Sequence, residues 1–147
     1  MIAAAPLLAS VAAAANGHRR DSADASRNRH IISAFADMFY RQRRVADAFK
    51  TYVAPDYIQH NPGLPDGRDA AIQALQPLFS SPGATFEIKR ILVDGNMAAI
   101  HLFGRGDPKT KGASVVDLYR LENGKIVEHW DVIQPMPEKS ANPHPMF

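Results

Sequence analysis

The 147-residue chain contains no cysteine, so disulfide bridges, a thiolate nucleophile and cysteine-bound zinc are all excluded. It has no apolar run approaching the roughly 20 residues that a membrane-spanning helix needs. Excess charge of one sign is scarce too, because 17 Lys and Arg against 15 Asp and Glu leave a formal net charge of only +2. Arg19, Arg20, Arg27, Arg29, Arg41, Arg43 and Arg44 carry much of the basic character, interleaved with Asp21, Asp24, Asp37 and Asp47. That mixture reads as a solvated helical face, since no aromatic platform accompanies it to make a nucleic-acid site. Gly104-Arg105-Gly106 lacks the strand-to-helix phosphate loop of a nucleotide binder, and no serine sits in a nucleophile elbow.

What is present is the composition of one soluble globular domain, 46% hydrophobic and 22% charged. Residues 1–15 stand apart: an alanine-rich apolar stretch ending in Ala13-Ala14-Ala15 fits the apolar region and cleavage site of a signal peptide, without its charged leading region. The alternative is an alanine-rich leader with no export role. Cleavage would make the protein periplasmic or secreted; otherwise it is cytoplasmic. Residues 16–27 are expected as a flexible linker and 28–147 as the folded domain.

Three helical patterns open that domain. Ile31, Ile32, Phe35, Met38 and Phe39 share one face of a 3.6-residue period, and Val45, Ala48, Phe49 and Tyr52 share another. After a Pro/Gly-rich break at residues 60–67, Ala71, Ile72, Leu75, Leu78 and Phe79 form the third, which Pro77 and the Ser80-Ser81-Pro82-Gly83 run are expected to end. The second half changes period. Residues 85–93, 97–105, 113–121 and 125–134 are rich in β-branched and aromatic residues, with turn residues in each gap, and predict four consecutive antiparallel strands. Helices followed by a meander define an α+β domain. The tail 135–147 holds four prolines, so it is expected to run extended over the surface or a partner.

Polar residues interrupt these strands in a way a plain core does not explain. Alternation puts Val127, His129, Asp131 and Ile133 on one face of the last strand, and Ile126, Glu128, Trp130 and Val132 on the other. Val115, Asp117 and Tyr119 share a face of the preceding strand, as do Ala99, His101 and Phe103 of the one before. A buried carboxylate is disfavoured unless it is paired or neutral, so these positions are hard to reconcile with a plain core. His129 beside Asp131 is the arrangement that sets the tautomer and basicity of an imidazole for proton transfer. A buried ion pair that merely fixes the strand is the structural alternative. His101 could equally be a satisfied core histidine, His60 could fix its turn, and Trp130 and Tyr119 are most simply core or interface aromatics. Histidines 60, 101 and 129 with Asp117 and Asp131 could supply a two-histidine, one-carboxylate metal set, but their spacing carries no metal signature.

Two runs carry a resemblance. Tyr57-Ile58-Gln59-His60-Asn61-Pro62 with Asp66-Gly67, and residues 116–134 with Gly124-Lys125-Ile126-Val127-Glu128-His129-Trp130-Asp131 at their centre, resemble the SnoaL-like polyketide cyclase branch of the nuclear transport factor 2-like superfamily. The likeness runs from about Ile31 to the C-terminus. It implies a cone-shaped half-barrel, with N-terminal helices packed in a strongly curved, mainly antiparallel sheet of four or more strands around an apolar pocket. It also implies a homodimer through the sheet, and action without metal or other cofactor. Steroid isomerases of the superfamily carry an oxyanion-hole aspartate in register with Asp117, and a general-base aspartate close to His60, where either His60 or Asn61 could stand in this chain.

The implied function is acid/base catalysis on a small apolar carbonyl compound: an intramolecular aldol condensation that closes a ring. Asp131 with His129 would be the acid/base pair, His60 an alternative base at the mouth, and Asp117 or His101 the oxyanion donor. Asn61, Tyr119, Phe103 and Trp130 would contact the substrate. A related isomerase, hydrolase or dehydratase, a non-catalytic binder of an apolar metabolite, and a protein whose sheet is chiefly an association surface are the alternatives. Neither a nucleic acid nor a membrane is an expected partner.

Overall fold

The computed structural model describes residues 24–147. The expected signal segment, and the linker up to residue 23, lie outside the described residues. Helix α1 runs over residues 24–36, so residues 24–27 belong to it rather than to a linker. Its start is held by an Asp24–Arg27 ion pair at 3.0 Å and by Asn28, whose side chain donates to the Gly95 carbonyl at 3.0 Å.

At its C-terminal end α1 widens into a π-helical turn, Asp37–Arg41, closed by Gln42 N–H donating to the Asp37 carbonyl at 3.0 Å. The wide turn advances the chain by more residues per revolution than an α-helix, so the neighbours Phe39 and Tyr40 are both buried. Helices α2 (Val45–Tyr52) and α3 (Arg68–Ser80) follow. Pro77 lies inside α3 rather than ending it. The helix continues less than one further turn past this residue, which cannot donate a backbone hydrogen bond.

Strands β1 (Val53–Gln59), β2 (Thr85–Asp94), β3 (Met97–Arg105), β4 (Ala113–Glu122) and β5 (Lys125–Pro135) form one open sheet in the order β1-β5-β4-β3-β2. β1 is parallel to β5 and the other pairs are antiparallel. The four-strand meander stands as expected; β1 is the addition. Pro55 and Asp56 interrupt its alternation, and a proline is tolerated there because β1 is an edge strand.

One face of the sheet carries the helices and the core. Phe35 is fully buried, with ring centroids 5.2 Å from Phe39, 5.8 Å from Phe49 and 5.4 Å from Tyr119, so α1, α2 and β4 meet on one side chain. A bulge corrects the alternation expected for β5. Arg120 pairs with Glu128 but Leu121 pairs with Ile126, so Val127 is the extra residue and the face switches there. Ile126 is therefore fully buried in the core, not outward with Glu128 and Trp130.

The tail crosses the opposite face. Met136 N–H bonds to the Gly112 carbonyl at 2.9 Å, Lys111 pairs with Glu138 at 2.6 Å, and the Phe147 ring lies 5.7 Å from Phe103 and 6.1 Å from His101.

Candidate active site

Between the helices and the inner sheet face lies a cavity of about 260 Å³ whose wall is mostly apolar, with Phe39, Phe49, Leu75, Phe79, Phe86 and Leu102 among its lining. Its polar groups converge from three strands and the π-turn. Register puts Asp117 of β4 directly opposite Asp131 of β5, and Tyr119 opposite His129, all four lining the cavity. The Asp117 and His129 residues are buried, at 7% and 6% exposure.

Every member of the inner group is bonded. The Tyr40 hydroxyl donates to Asp117 Oδ2 at 2.5 Å and lies 2.6 Å from the Tyr119 hydroxyl. With its own proton committed to Asp117, Tyr40 accepts from Tyr119. His129 Nε2 is 3.1 Å from Asp117 Oδ1, and His129 Nδ1 is 2.9 Å from Gln59 Oε1. The same Gln59 oxygen accepts the Asn61 backbone N–H at 2.9 Å. A backbone N–H can only donate, so this contact fixes the amide orientation and makes His129 Nδ1 a donor. One proton is then left for the Nε2–Oδ1 contact, whichever of the two atoms carries it.

Gln59 Nε2 donates in turn to the Tyr57 hydroxyl at 3.2 Å. Burial pushes the Tyr40 and Tyr119 phenols well above the usual tyrosine value of 10.0, with the Asp117 charge adding to it. Burial and then Asp117 raise Tyr57 as well. All three phenols therefore remain protonated donors at neutral pH.

Asp131 stands apart from this chain. Its Oδ2 accepts from Asn61 Nδ2 at 2.5 Å, and Asn61 is itself anchored by Gly63 N–H donating to its Oδ1 at 2.8 Å. Oδ1 of Asp131 has no protein partner among the described residues.

Of the residues singled out in the sequence, the structure brings together Asp117, His129, Asp131, Asn61 and Tyr119 around the cavity. It separates four others from it. His60 and Trp130 stack on each other on the opposite face, with ring centroids 4.7 Å apart and planes 7° from parallel. His101 lies outside the cavity because it pairs with Val116 while its neighbour Ile100 pairs with Asp117; its ring contacts Arg90 at 2.7 Å and Ser114 at 2.9 Å. Phe103 shares the His101 face, under Phe147. Neither His60 nor His101 can therefore join a two-histidine metal set inside the cavity. The group that remains, Asp117, His129 and Asp131, offers three ligand atoms within 4.8 Å of one another. Two of its members, Asp117 and His129, are already engaged with each other, and Asp117 also accepts from Tyr40.

Tyr40, Tyr57 and Gln59 are site residues that the sequence reading lacks. Tyr57, Gln59 and Asn61 alternate toward the cavity, a signal that becomes readable once residues 53–59 are taken as a strand. Tyr40 has no such signal, because a π-turn brings it inward against the 3.6-residue period.

The open α+β arrangement of helices against a five-stranded mixed sheet is the fold of solved NTF2-like structures. The SnoaL-like domain profile matches residues 32–129, and the chain belongs to this SnoaL-like family. Solved structures agree on the fold. An NTF2-like protein of unknown function from Mesorhizobium loti superposes with TM-score 0.64 at 23% identity, over 75% of this chain and 93% of that one. A provisionally assigned ketosteroid isomerase from Kribbella flavida gives 0.66 at 19%, over 81% and 86%. A provisionally assigned SnoaL-like polyketide cyclase from Jannaschia sp. gives 0.57 at 17%, over 75% and 87%. A comparison with curated proteins finds no match.

Proposed function

We propose that the protein is a cofactor-independent acid/base enzyme that enolises a small neutral carbonyl compound and carries it through an aldol-type ring closure. The observation that supports this most is Asp131, a carboxylate in an apolar cavity, oriented through one oxygen by Asn61 and free at the other. In this reading Asp131 Oδ1 removes the proton alpha to the substrate carbonyl, and the C–H electron pair becomes the C=C bond of the enolate. The enolate oxygen takes a hydrogen bond from the Tyr57 hydroxyl, which accepts from Gln59 and keeps its own proton to donate; a preorganised donor in a low-dielectric cavity acts most strongly. The enolate carbon then attacks a second carbonyl of the same molecule, whose oxygen receives the proton that Asp131 carries. His60 and His101 have no part in this chemistry.

The cavity also bears on substrate class. None of its lining residues is Lys or Arg, while two are aspartates, so a substrate carboxylate would meet like charge with no counterion. At about 260 Å³ it exceeds the roughly 150 Å³ that holds a benzene, which suits a substrate of one or two rings. Titration with 4-acetylbenzamide and its isosteric acid 4-acetylbenzoate tests this. The amide is expected to bind at least tenfold more tightly, and preference for the acid would contradict the reading. Binding of neutral ketones without any proton exchange would favour a non-catalytic carrier. We further propose self-association through the outer sheet face, where Val132 is 64% exposed; light scattering showing only monomer would contradict it.

A further inference from the structure

The stretch Gln59-His60-Asn61 alternates across the sheet edge, and its two inward members hold the two titratable groups of β5 that line the cavity. Gln59 fixes the His129 ring at 2.9 Å and Asn61 fixes the Asp131 carboxylate at 2.5 Å. The residue between them, His60, points to the opposite face. We propose that His60, Trp130 and Glu128 form an external clasp that positions the active-site groups from outside the cavity, so that His60 and Trp130 are positioning residues for His129 and Asp131.

Local turn bonds, Gln59 N–H to Asp66 Oδ1 at 2.8 Å and Leu64 N–H to the Asn61 carbonyl at 3.1 Å, shape this stretch, but the main-chain ladder that ties it to β5 is short. β1 is an edge strand, and its parallel ladder to β5 consists of Val53 with Ile126, then a register break, then only Ile58 with Glu128 and Gln59 with His129. Beyond Gln59 the ladder leaves one further bond, His60 N–H to the His129 carbonyl at 2.9 Å, before Pro62 and Gly63. Parallel pairing of so few residues is weak, and edge elements open locally well below the global unfolding free energy.

The clasp supplies what the ladder lacks. The His60 ring lies flat on Trp130, and its Nε2 is 2.8 Å from Glu128 Oε1. Glu128 is fixed from its other side by Arg120 Nε at 2.6 Å, and Arg120 also reaches Glu122 at 3.1 Å. Trp130 and Glu128 of β5 contact His60 directly, and Arg120 and Glu122 of β4 extend the ion-pair chain from Glu128. Arg120 and then His60 hold the Glu128 carboxyl below its ordinary value, so it stays an acceptor through the neutral range. Because Trp130 and Glu128 flank His129 in sequence, the clasp closes on the same strand segment whose inner side chains do the chemistry.

The inference rests on the proposed function for its relevance to catalysis, but its test does not need turnover. Amide hydrogen exchange of the intact chain is compared among wild type, His60→Ala, Trp130→Leu and His60→Phe, with the ¹⁵N shifts of His129 recorded alongside. In His60→Ala and in Trp130→Leu, exchange at the residue-60 and Asn61 amides is expected to rise about tenfold or more, with the His129 Nδ1–H signal broadened. Amides of the central strand β3, such as Ile100, are expected to keep their protection. His60→Phe, which keeps the stack, is expected to recover a large part of the effect. Unchanged exchange at residues 60 and 61 in both disrupting variants would overturn the proposal, as would loss of protection in β3 to the same degree, which would show general destabilisation. If no carbonyl compound is ever turned over while the amides respond as described, the proposed function fails and the clasp stands.

Discussion

Asp117 and Asp131 stand directly opposite each other on β4 and β5, and both turn into the same cavity. Two like charges at opposed positions of an antiparallel pair destabilise it, so the surroundings must treat them differently. They do. Asp117 is wrapped by Tyr40 and His129, while Asp131 has a single amide partner. In the proposed reading this difference in bonding is what leaves Asp131, and not Asp117, with an oxygen available to a substrate.

Tyr40→Phe removes the donor to Asp117 Oδ2 and leaves a buried carboxyl oxygen unsatisfied. The expected cost is about 1–3 kcal/mol of stability. Equilibrium urea unfolding measures it, and an unchanged midpoint would show that Asp117 does not depend on this bond.

Gln59→Leu keeps the side-chain bulk but removes the acceptor for His129 Nδ1–H. The imidazole is then free to place its proton on either nitrogen, and the ¹⁵N spectrum of His129 is expected to shift from a protonated Nδ1 toward a mixture of tautomers. A spectrum identical to wild type would mean that the orientation comes from elsewhere.

Stability is expected to fall on the alkaline side. Tyr40, Tyr57 and Tyr119 titrate higher folded than unfolded. The unfolded chain gives up these protons at the ordinary value of 10.0 while the folded chain retains them. Their contribution is thus complete below that pH and is lost progressively as pH rises above it. Tyrosinate absorbance from these three phenols should appear together with unfolding, not before it.

Phe35→Ala opens a cavity where α1, α2 and β4 meet, and a loss of about 3–5 kcal/mol is expected in thermal or urea unfolding. A loss under 1 kcal/mol would place the core elsewhere.

The meander and the amphipathic helices were legible in the sequence because apolar periodicity is a local property; alternation grouped His129 with Asp131 on one face, and it was the family resemblance that made this face, with Asp117, the cavity side. Three features were not local. The Val127 bulge reverses the face of Ile126, and nothing in the residue types marks it. β1 becomes a strand by pairing with β5 more than 65 residues later, against a proline and an aspartate. The π-turn delivers Tyr40 to Asp117 by leaving the helical period. The same limit explains His60: its neighbourhood in sequence is the active-site segment, but one residue of alternation puts it on the other side of the sheet.

The central claim is that Asp131 abstracts a proton, and solvent deuterium incorporation at the alpha carbon of neutral one- and two-ring ketones tests it most directly. The account predicts protein-dependent incorporation that falls by at least a hundredfold in Asp131→Asn, while affinity for the ketone is kept within a few-fold. Incorporation that persists undiminished in Asp131→Asn would contradict it.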